Sequence, residues 1–269
     1  MSAVRAAPPG GVFWPERFSG RRALVPAGAD GLGLGVAARL AAEGATVVIL
    51  DRSPEAIARA QALPEMRGVG FACVDLLDIA ALDEVMDRLE GKAGGFDILV
   101  NNAGGSLHTP SAFLDATDAD WVRVLELNVM VGVRLARRVL PGMLARGYGR
   151  IINLGSKAGR YGSLFTGANY VAAKGAVQSM TLQLAQEFGP LGITCNAVCP
   201  GAIMTPRVQG LLAERMTPVE RAAALAAIPV RRHGTVAEVA AAVAYLASEE
   251  AGFVTGQLLD VNGGQGMAS

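Results

Sequence analysis

A tyrosine and a lysine four residues apart, Tyr170 and Lys174, form the pair in this sequence best suited to proton chemistry. Both fall in a helical pattern, where four-residue spacing puts two side chains on the same helix face. A nearby ammonium favours the phenolate over the phenol. We therefore expect the pKa of Tyr170 to fall from its usual value of about 10 towards neutral pH. Such a tyrosine can give a proton to, or take one from, an oxygen atom of a bound molecule. The plainer interpretation is a surface tyrosine beside a lysine.

Ser156 favours the first interpretation. It lies 14 residues before Tyr170 and two residues after the apolar run Arg150–Leu154, which we interpret as a buried strand. Side chains at the carboxyl ends of such strands face the ligand crevice of an α/β sheet. A hydroxyl at this place can hydrogen-bond the oxygen on which Tyr170 acts.

A glycine-rich stretch, Gly28–Gly35, lies between the first apolar run and a helical pattern. Glycines at a strand-to-helix turn let the backbone approach a pyrophosphate, and the helix N-terminus then stabilises the negative charge. Asp51 closes the second run about 20 residues further on, where a carboxylate accepts hydrogen bonds from an adenosine ribose. The same carboxylate would repel a 2′-phosphate, so we expect NAD rather than NADP, although the adjacent Arg52 opposes this preference. The alternative is that Asp51 only shapes the turn into a helix that starts at Ser53-Pro54.

These arguments give a first set of candidate cofactor contacts. They are Gly28, Gly31, Leu32, Gly33, Asp51 and Arg52.

Apolar runs of strand length alternate with helical patterns along most of the chain. The runs are Ala23–Val25, Thr46–Leu50, Gly70–Val74, Ile98–Val100, Arg150–Leu154, Thr194–Val198 and Leu258–Val261. The clearest helical patterns are Val36–Glu43, Ile79–Glu90, Asp120–Leu140 and Ala168–Phe188. Runs that are apolar throughout are typical of strands buried on both faces. The alternation predicts an α/β fold of the Rossmann type, a doubly wound parallel sheet of about seven strands flanked by helices.

No linker interrupts the pattern, so we predict one domain over residues 19–269. Residues 1–18, which contain Pro8-Pro9 and Gly10-Gly11, are expected to form a flexible tail. Two local signals mark helix starts: Ser53 followed by Pro54, and Thr235 with Glu238 three residues later.

The composition narrows the possible partners. The chain has 24 basic and 24 acidic residues among 269, so a nucleic acid or an anionic membrane is not expected as a partner. No apolar run has the length of about 18 residues that a membrane helix needs. The three cysteines (Cys73, Cys195 and Cys199) come with no neighbouring histidine. We expect reduced thiols in a cytoplasmic protein and no metal site.

With these residues in view, the sequence resembles the single-domain short-chain dehydrogenase/reductase family from about Ser19 to Gly264. The matching motifs beyond those above are Asn101-Asn102-Ala103-Gly104, Asn128, the Tyr170–Lys174 segment, Pro200-Gly201, Thr255-Gly256 and Asp260–Gly264. The resemblance implies a nicotinamide-dependent oxidoreductase in which Ser156 orients a carbonyl and Tyr170 is the acid/base. Lys174 would also bind the nicotinamide ribose, and Asn128 would hold a water that links Lys174 to solvent.

The resemblance also implies further cofactor contacts and an assembly. The contacts are Asp75 and Leu76 at the adenine, Asn102, Ala103 and Gly104 after the fourth strand, and Pro200, Gly201, Ile203 and Thr205 near the nicotinamide. A homotetramer is expected, built from the helices around Asn128 and Tyr170 and from the last strand.

The chain departs from the family pattern at one point of the cofactor loop. Pro26-Ala27 replaces the usual Thr-Gly, which places Ala27 at the first glycine of the motif. Proline has no N–H, and alanine does not easily adopt a positive φ. We therefore expect a reshaped loop or weaker cofactor binding.

The sequence says less about which residues would contact the substrate. Residues Met204–Pro229 are expected to form a helical lid, with Leu211, Leu212 and Met216 as an apolar wall. Arg207 could meet an anionic group, and His108 could line the pocket. Ordinary helix packing and an exposed loop histidine are the alternatives.

Three functions are compatible with the sequence. The first is an oxidoreductase that transfers a hydride between NAD(H) and a secondary alcohol or ketone. The second is an NADP(H)-dependent 3-oxoacyl reductase. The third is a nucleotide-binding scaffold or sensor without turnover, which the altered Pro26-Ala27 loop would favour. A hydrolase is excluded because Ser156 has no nucleophile-elbow motif.

Overall fold

The computed structural model describes residues 14–163 and 165–266. Its centre is one parallel seven-stranded sheet in the order β3-β2-β1-β4-β5-β6-β7. The strands are β1 (Arg22–Pro26), β2 (Thr46–Asp51), β3 (Gly70–Cys73), β4 (Ile98–Asn101), β5 (Gly149–Leu154), β6 (Ile193–Pro200) and β7 (Leu258–Val261). Each predicted run becomes one of these strands, and the predicted doubly wound α/β fold is confirmed.

Helices cover both faces of the sheet, which explains why its strands are apolar throughout. Every residue of β4, β5 and β6 is buried. One apolar core lies under the helices packed on β1 and β2, and the second lies on the opposite face of the sheet. The order of the strands reverses between β1 and β4, and in folds of this kind ligands bind in the crevice at that reversal.

Ten α-helices connect the strands within the described residues. They are α1 (Gly31–Ala42), α2 (Pro54–Gln61), α3 (Ile79–Ala93), α4 (Asp118–Leu125), α5 (Val131–Arg146), α6 (Ala158–Tyr161), α7 (Ala168–Phe188), α8 (Pro206–Arg215), α9 (Pro218–Ala226) and α10 (Val236–Ala247). No helix of the described segments is long and apolar enough to cross a membrane.

Both predicted helix starts are confirmed. The Ser53 hydroxyl accepts a hydrogen bond from the Ala56 N–H at the start of α2. Thr235 and Glu238 form a reciprocal capping box at the start of α10. The predicted helix Asp120–Leu140 is not uniform, because one π-helical turn (Glu126–Met130) separates α4 from α5.

The domain begins earlier than the predicted boundary at residue 19. Phe18 is only 1% exposed and belongs to the core under α1. The Phe18 N–H donates to the backbone oxygen of Glu43 over 2.8 Å, and Arg17 pairs with the buried Glu43 carboxylate over 3.4 Å. The expected tail is therefore too long at its C-terminal end, and residues 1–13 lie outside the described residues.

The loop between β1 and α1 contains an unusual alanine. Ala27 has φ +51°, in the left-handed region that residues other than glycine rarely enter. We expected that alanine would not easily adopt a positive φ at this position, and in the structure Ala27 adopts this unfavourable conformation. Such strain persists only where neighbouring contacts hold it in place, and here the Asn102 side chain donates to the Ala27 carbonyl over 2.8 Å.

We predict that Ala27→Gly raises the free energy of unfolding by about 1 kcal/mol, because glycine enters the left-handed region without a Cβ clash. Urea unfolding of the purified protein measures this difference. Ala58→Gly, in the exposed part of α2, is the matched control and should lower stability by about 1 kcal/mol. A loss of stability in Ala27→Gly would show that Ala27 is not strained.

Candidate active site

Tyr170, Lys174 and Ser156 meet at the carboxyl edge of β5. Ser156 follows the last residue of this strand by two positions, and α7 carries Tyr170 and Lys174 over the strand end. A buried polar chain fixes α7 there: Asn101 donates to Asn153 over 2.8 Å, and Asn153 donates to Thr181 over 2.9 Å. The predicted constellation is therefore assembled by contacts between the sheet and one long helix.

The Lys174 ammonium is buried against the end of the sheet. Lys174 is only 4% exposed, and its Nζ donates to the Leu154 carbonyl over 2.6 Å. The pKa of Lys174 is lowered to about 8, mainly by burial; Cys199 opposes this shift, and the charge of Arg207 adds to it. Lys174 can therefore exchange a proton near neutral pH.

Tyr170 differs from the expectation in its acidity. Burial raises its pKa above the usual value of 10, while a hydrogen bond with Ser156 and the charge of Arg207 act to lower it. Lys174 does not produce the expected decrease, because its ammonium lies 5.8 Å from the centre of the Tyr170 ring and is bonded to Leu154 instead. Tyr170 is therefore a neutral phenol at physiological pH in this state of the protein, and the expectation of a lowered pKa was wrong.

Asn128 lies in the π-helical turn and reaches the same site. Its amide donates to the carbonyls of Gly105 and Val124, and its Oδ1 accepts from the Gly105 N–H over 2.9 Å. A Cβ placed on Gly104 would lie 2.5 Å from Asn128 Oδ1 and 3.0 Å from Lys174 Nζ. Asn128 and Lys174 thus lie on the same face of Gly104. π-Helical turns are frequent at functional sites, and here the turn directs the Asn128 amide inward.

Asn102 connects the end of β4 with the glycine-rich loop. Besides Ala27, it donates to the Pro26 carbonyl over 3.3 Å. A Cβ on Gly33 would lie 2.5 Å from the Asn102 amide nitrogen and 2.6 Å from the Ala27 carbonyl oxygen. Gly33 therefore has to be glycine, because α1 approaches the loop so closely.

The start of α1 fits a pyrophosphate. Gly31 has φ +56°, and a Cβ built on it would meet no atom within 4 Å, so this backbone is open to an approaching group. A twelve-residue helix follows, whose N-terminus favours negative charge. The Asp30 carboxylate accepts from the Gly31 N–H over 2.7 Å.

Asp51 shapes the turn into α2 and also lies against the glycine-rich loop. One carboxylate oxygen accepts from the Ser53 N–H over 3.1 Å, which shapes the turn into α2. The other accepts from the Ala29 N–H over 3.1 Å, which places the carboxylate against the glycine-rich loop. A carboxylate oxygen can accept more than one hydrogen bond, so Asp51 remains able to bind a ribose. The neighbouring Arg52 is exposed.

The remaining predicted cofactor contacts lie along the same edge. Asp75 is exposed and accepts from the Leu77 N–H over 3.0 Å, while Leu76 and Ala103 are buried. Pro200 ends β6, and Gly201 packs against Asn262 and Gln265. Ile203 is buried, and Thr205 caps α8 by accepting from the Val208 N–H.

A cleft of about 1140 Å³ opens beside Lys157, the residue that follows Ser156. Its walls include His108, Lys157, Tyr161, Arg215 and Met216. α8 and α9 stand where the lid was predicted, but Leu211 is buried and does not line this cleft. Arg215 fastens α8 to the site by donating to the carbonyls of Phe165 and Thr109 over 3.0 Å and 3.3 Å.

Gln178 is a site residue that the sequence reasoning did not identify. Its amide donates to the Ser156 carbonyl over 2.7 Å and lies 3.5 Å from the Cys199 sulfur. It therefore supports the backbone that carries the Ser156 hydroxyl. A signal existed, because Gln178 follows Lys174 by four residues and so lies on the same face of the helix.

In the described residues, no group of three His, Cys, Asp or Glu side chains could hold a metal ion.

The chain is similar to known proteins in both sequence and structure. Residues 27–265 match the family model described as "Enoyl-(Acyl carrier protein) reductase". The chain is 36% identical over 252 residues to the 3-oxoacyl-[acyl-carrier-protein] reductase FabG of Escherichia coli (strain K12), covering 93% of this chain and 99% of the relative. It is also 36% identical to a structure described as a short chain dehydrogenase/reductase family protein, with a TM-score of 0.78, covering 92% of this chain and 98% of the other. The chain belongs to the short-chain dehydrogenase/reductase family.

A third relative is a solved structure that is described as containing a cofactor. The crystal structure of an actinorhodin polyketide ketoreductase variant with NADPH is 32% identical, has a TM-score of 0.86, and covers 94% of this chain and 100% of its own. In this dehydrogenase/reductase, Tyr170 and Lys174 occupy the edge of the sheet next to the crevice that fits a dinucleotide. The family uses a nicotinamide cofactor, and this chain is an oxidoreductase.

We predict that the stability of the protein depends on pH through Lys174. Below about pH 8 both the folded and the unfolded state hold the Lys174 proton. Between about 8 and 10.5 the folded state loses it while the unfolded state keeps it. Wild type should therefore gain up to about 1.4 kcal/mol of unfolding free energy per pH unit in this window, relative to Lys174→Met.

Urea unfolding of both proteins from about pH 7 to about pH 10 measures this difference. Lys157→Met, at a partly exposed lysine, is the matched control and should run parallel to wild type. If Lys174→Met also runs parallel to wild type, the buried ammonium does not titrate as the structure indicates.

Proposed function

We propose that this enzyme reduces the ketone of a 3-oxoacyl compound, with a nicotinamide cofactor as the hydride donor. The observation that carries the proposal is that Ser156, Tyr170 and the buried Lys174 ammonium meet at the carboxyl end of β5. Fold alone would not support a reaction, since the same fold serves many functions. The site residues supply the proton that the reduction requires.

Each residue has one task in the reaction. A bound nicotinamide cofactor supplies the hydride. The Ser156 hydroxyl donates a hydrogen bond to the ketone oxygen and aligns it with Tyr170. The Tyr170 hydroxyl gives its proton to that oxygen as negative charge develops there. The Lys174 ammonium, whose Nζ lies 5.8 Å from the centre of the Tyr170 ring, would bind the ribose of the nicotinamide.

The protonation state of Tyr170 suits ketone reduction. A ketone needs a proton donor, and burial keeps Tyr170 in its neutral, protonated form. The proposal of a 3-oxoacyl substrate rests on the relatives, whose names are those of a 3-oxoacyl-[acyl-carrier-protein] reductase and a polyketide ketoreductase. A general secondary alcohol or ketone is the broader alternative.

The preference for NADH over NADPH is a separate part of the proposal. The Asp51 carboxylate lies against the glycine-rich loop, where it accepts from the Ala29 N–H. A carboxylate at this place would repel the negative charge of a 2′-phosphate. The NADPH of the polyketide ketoreductase relative argues in the other direction, so the cofactor needs its own test.

A homotetramer agrees with the exposed apolar side chains of the elements expected at its interfaces. Val122 on α4 is 64% exposed, Leu182 on α7 is 45% exposed, and Leu259 on β7 is 37% exposed. Burial of such side chains against other copies of the chain would remove them from water.

We predict that Tyr170→Phe lowers kcat for ketone reduction by a factor of about 10² to 10⁴, because it removes the proton donor. The affinity for the cofactor, followed by nicotinamide fluorescence, should change only a few-fold. Gln178→Glu would disturb the same helix face and should leave measurable turnover. Full activity in Tyr170→Phe would exclude Tyr170 as the acid. Cofactor binding with no turnover of any ketone by wild type would favour the scaffold or sensor.

We predict at least a tenfold preference in kcat/KM for NADH over NADPH, because Asp51 repels the additional phosphate. Asp51→Asn should reduce this ratio by about tenfold, whereas Asp83→Asn, at an exposed carboxylate of α3, should leave it unchanged. The measurement is the rate of absorbance loss with each cofactor under the same ketone. A preference for NADPH would overturn the choice of cofactor and leave the reductase intact.

A further inference from the structure

Arg207 reaches into the active site from the lid. It is the second residue of α8, which begins after the Thr205 cap. Its guanidinium lies against Gly105, where a Cβ would be 2.7 Å from Nη1 and 2.8 Å from Cζ. Nη1 also donates to the Gly104 carbonyl over 3.4 Å. Because Gly105 has no side chain, there is room for the guanidinium next to the turn that carries Gly104.

The charge of Arg207 has no carboxylate partner within the part of the chain that the structure describes. Ion pairs there involve Arg17, Arg21, Arg39, Arg134, Arg138, Arg146, Arg160 and Arg232. Arg207 makes one long hydrogen bond and is otherwise exposed. Arg215, on the same helix, is instead held by two backbone carbonyls. Arg207 is therefore the cation of α8 that remains available to a ligand.

Arg207 is close enough to act on the catalytic pair. Its charge lowers the pKa of Tyr170 and of Lys174. It also contacts Gly104, whose face Lys174 and Asn128 share. An anion bound by Arg207 would thus lie within a short distance of the ketone that Tyr170 protonates.

We propose that Arg207 determines substrate specificity by binding the carboxylate of a short oxo acid, close to the ketone that is reduced. This inference rests on the proposed reductase function and names the form of its substrate: a free 3-oxo acid or a similar oxo carboxylate, rather than a neutral thioester. The planar guanidinium presents two parallel N–H donors that match the two oxygens of a carboxylate. A thioester offers one weakly accepting carbonyl oxygen and no charge.

The test compares charged and neutral forms of the same ketone on the full-length protein. The probes are acetoacetate, methyl acetoacetate and the neutral thioester acetoacetyl-N-acetylcysteamine, with levulinate and methyl levulinate as a longer pair. Each is assayed with saturating NADH and NADPH. The variants are Arg207→Met, which keeps an unbranched side chain and removes the charge, and Arg207→Lys, which keeps the charge and removes the paired donors. Arg59→Met, at an exposed arginine of α2, is the matched control.

We expect wild type to prefer at least one oxo acid over its ester by tenfold or more in kcat/KM. Arg207→Met should lose about 10- to 100-fold on the acid, mainly through KM, and at most a few-fold on the ester. Arg207→Lys should fall between, and Arg59→Met should match wild type. Equal rates of wild type on acids, esters and thioester would overturn the inference. So would equal losses of Arg207→Met on all of them.

A third result would assign Arg207 to the cofactor instead. If Arg207→Met weakens NADH or NADPH binding several-fold without changing the preference between acid and ester, the carboxylate role is wrong. Failure of the proposed function has a different signature, because wild type would then reduce none of the probes with either cofactor. Turnover of the esters or the thioester without dependence on Arg207 would leave the reductase standing and remove only this inference.

Discussion

A lysine ammonium held almost out of contact with water determines much of this structure. A buried cation needs oxygen atoms around it, since removing a charge from water without replacing its hydrogen bonds costs several kcal/mol. The Leu154 carbonyl provides one of them. That carbonyl is available because it ends a strand, where no further strand residue competes for it. The position of α7 over the end of β5 is therefore a condition for keeping the ammonium in place.

The surroundings of Lys174 follow from that position. The Asn101–Asn153–Thr181 chain connects two strands to α7 within the buried part of the sheet. Hydrogen bonds there are difficult to exchange for water, so they define one position of the helix. On the opposite side, the π-helical turn directs Asn128 to the backbone of Gly105. Buried amide groups thus hold in place both α7, which carries Lys174, and the π-helical turn that carries Asn128.

The same principle operates at the cofactor crevice. Asn102 holds the carbonyls of Pro26 and Ala27, and the absence of a side chain at Gly33 lets α1 approach them. The loop keeps its shape although alanine occupies a left-handed position, because the contacts around it outweigh the local preference. Strain at Ala27 and burial of Lys174 are both local costs at the site, and the packing of the sheet and helices stabilises them.

Much of this protein could be predicted from sequence because the relevant signals are local. The apolar strands, the Ser53 and Thr235 caps and the helical spacing of Tyr170 and Lys174 each depend on residues close together in the chain. The short motifs that identify the family are local in the same way. The N-terminal boundary was misplaced because the prolines and glycines before it dominated the pattern, whereas Phe18 is buried by residues distant in sequence.

The tertiary structure alone decided the properties that depend on distance and burial. Spacing on a helix suggested a lowered pKa for Tyr170, but the direction depends on how much water the phenol loses and on where the ammonium forms its hydrogen bond. The contact of Arg207 with Gly104 and Gly105 joins residues about 100 positions apart, and no local pattern contains it. Sequence by itself thus determined which chemical groups this enzyme has and which elements carry them. Folding determined their charges and partners, because desolvation and electrostatic interactions depend on separation in space and not on separation along the chain.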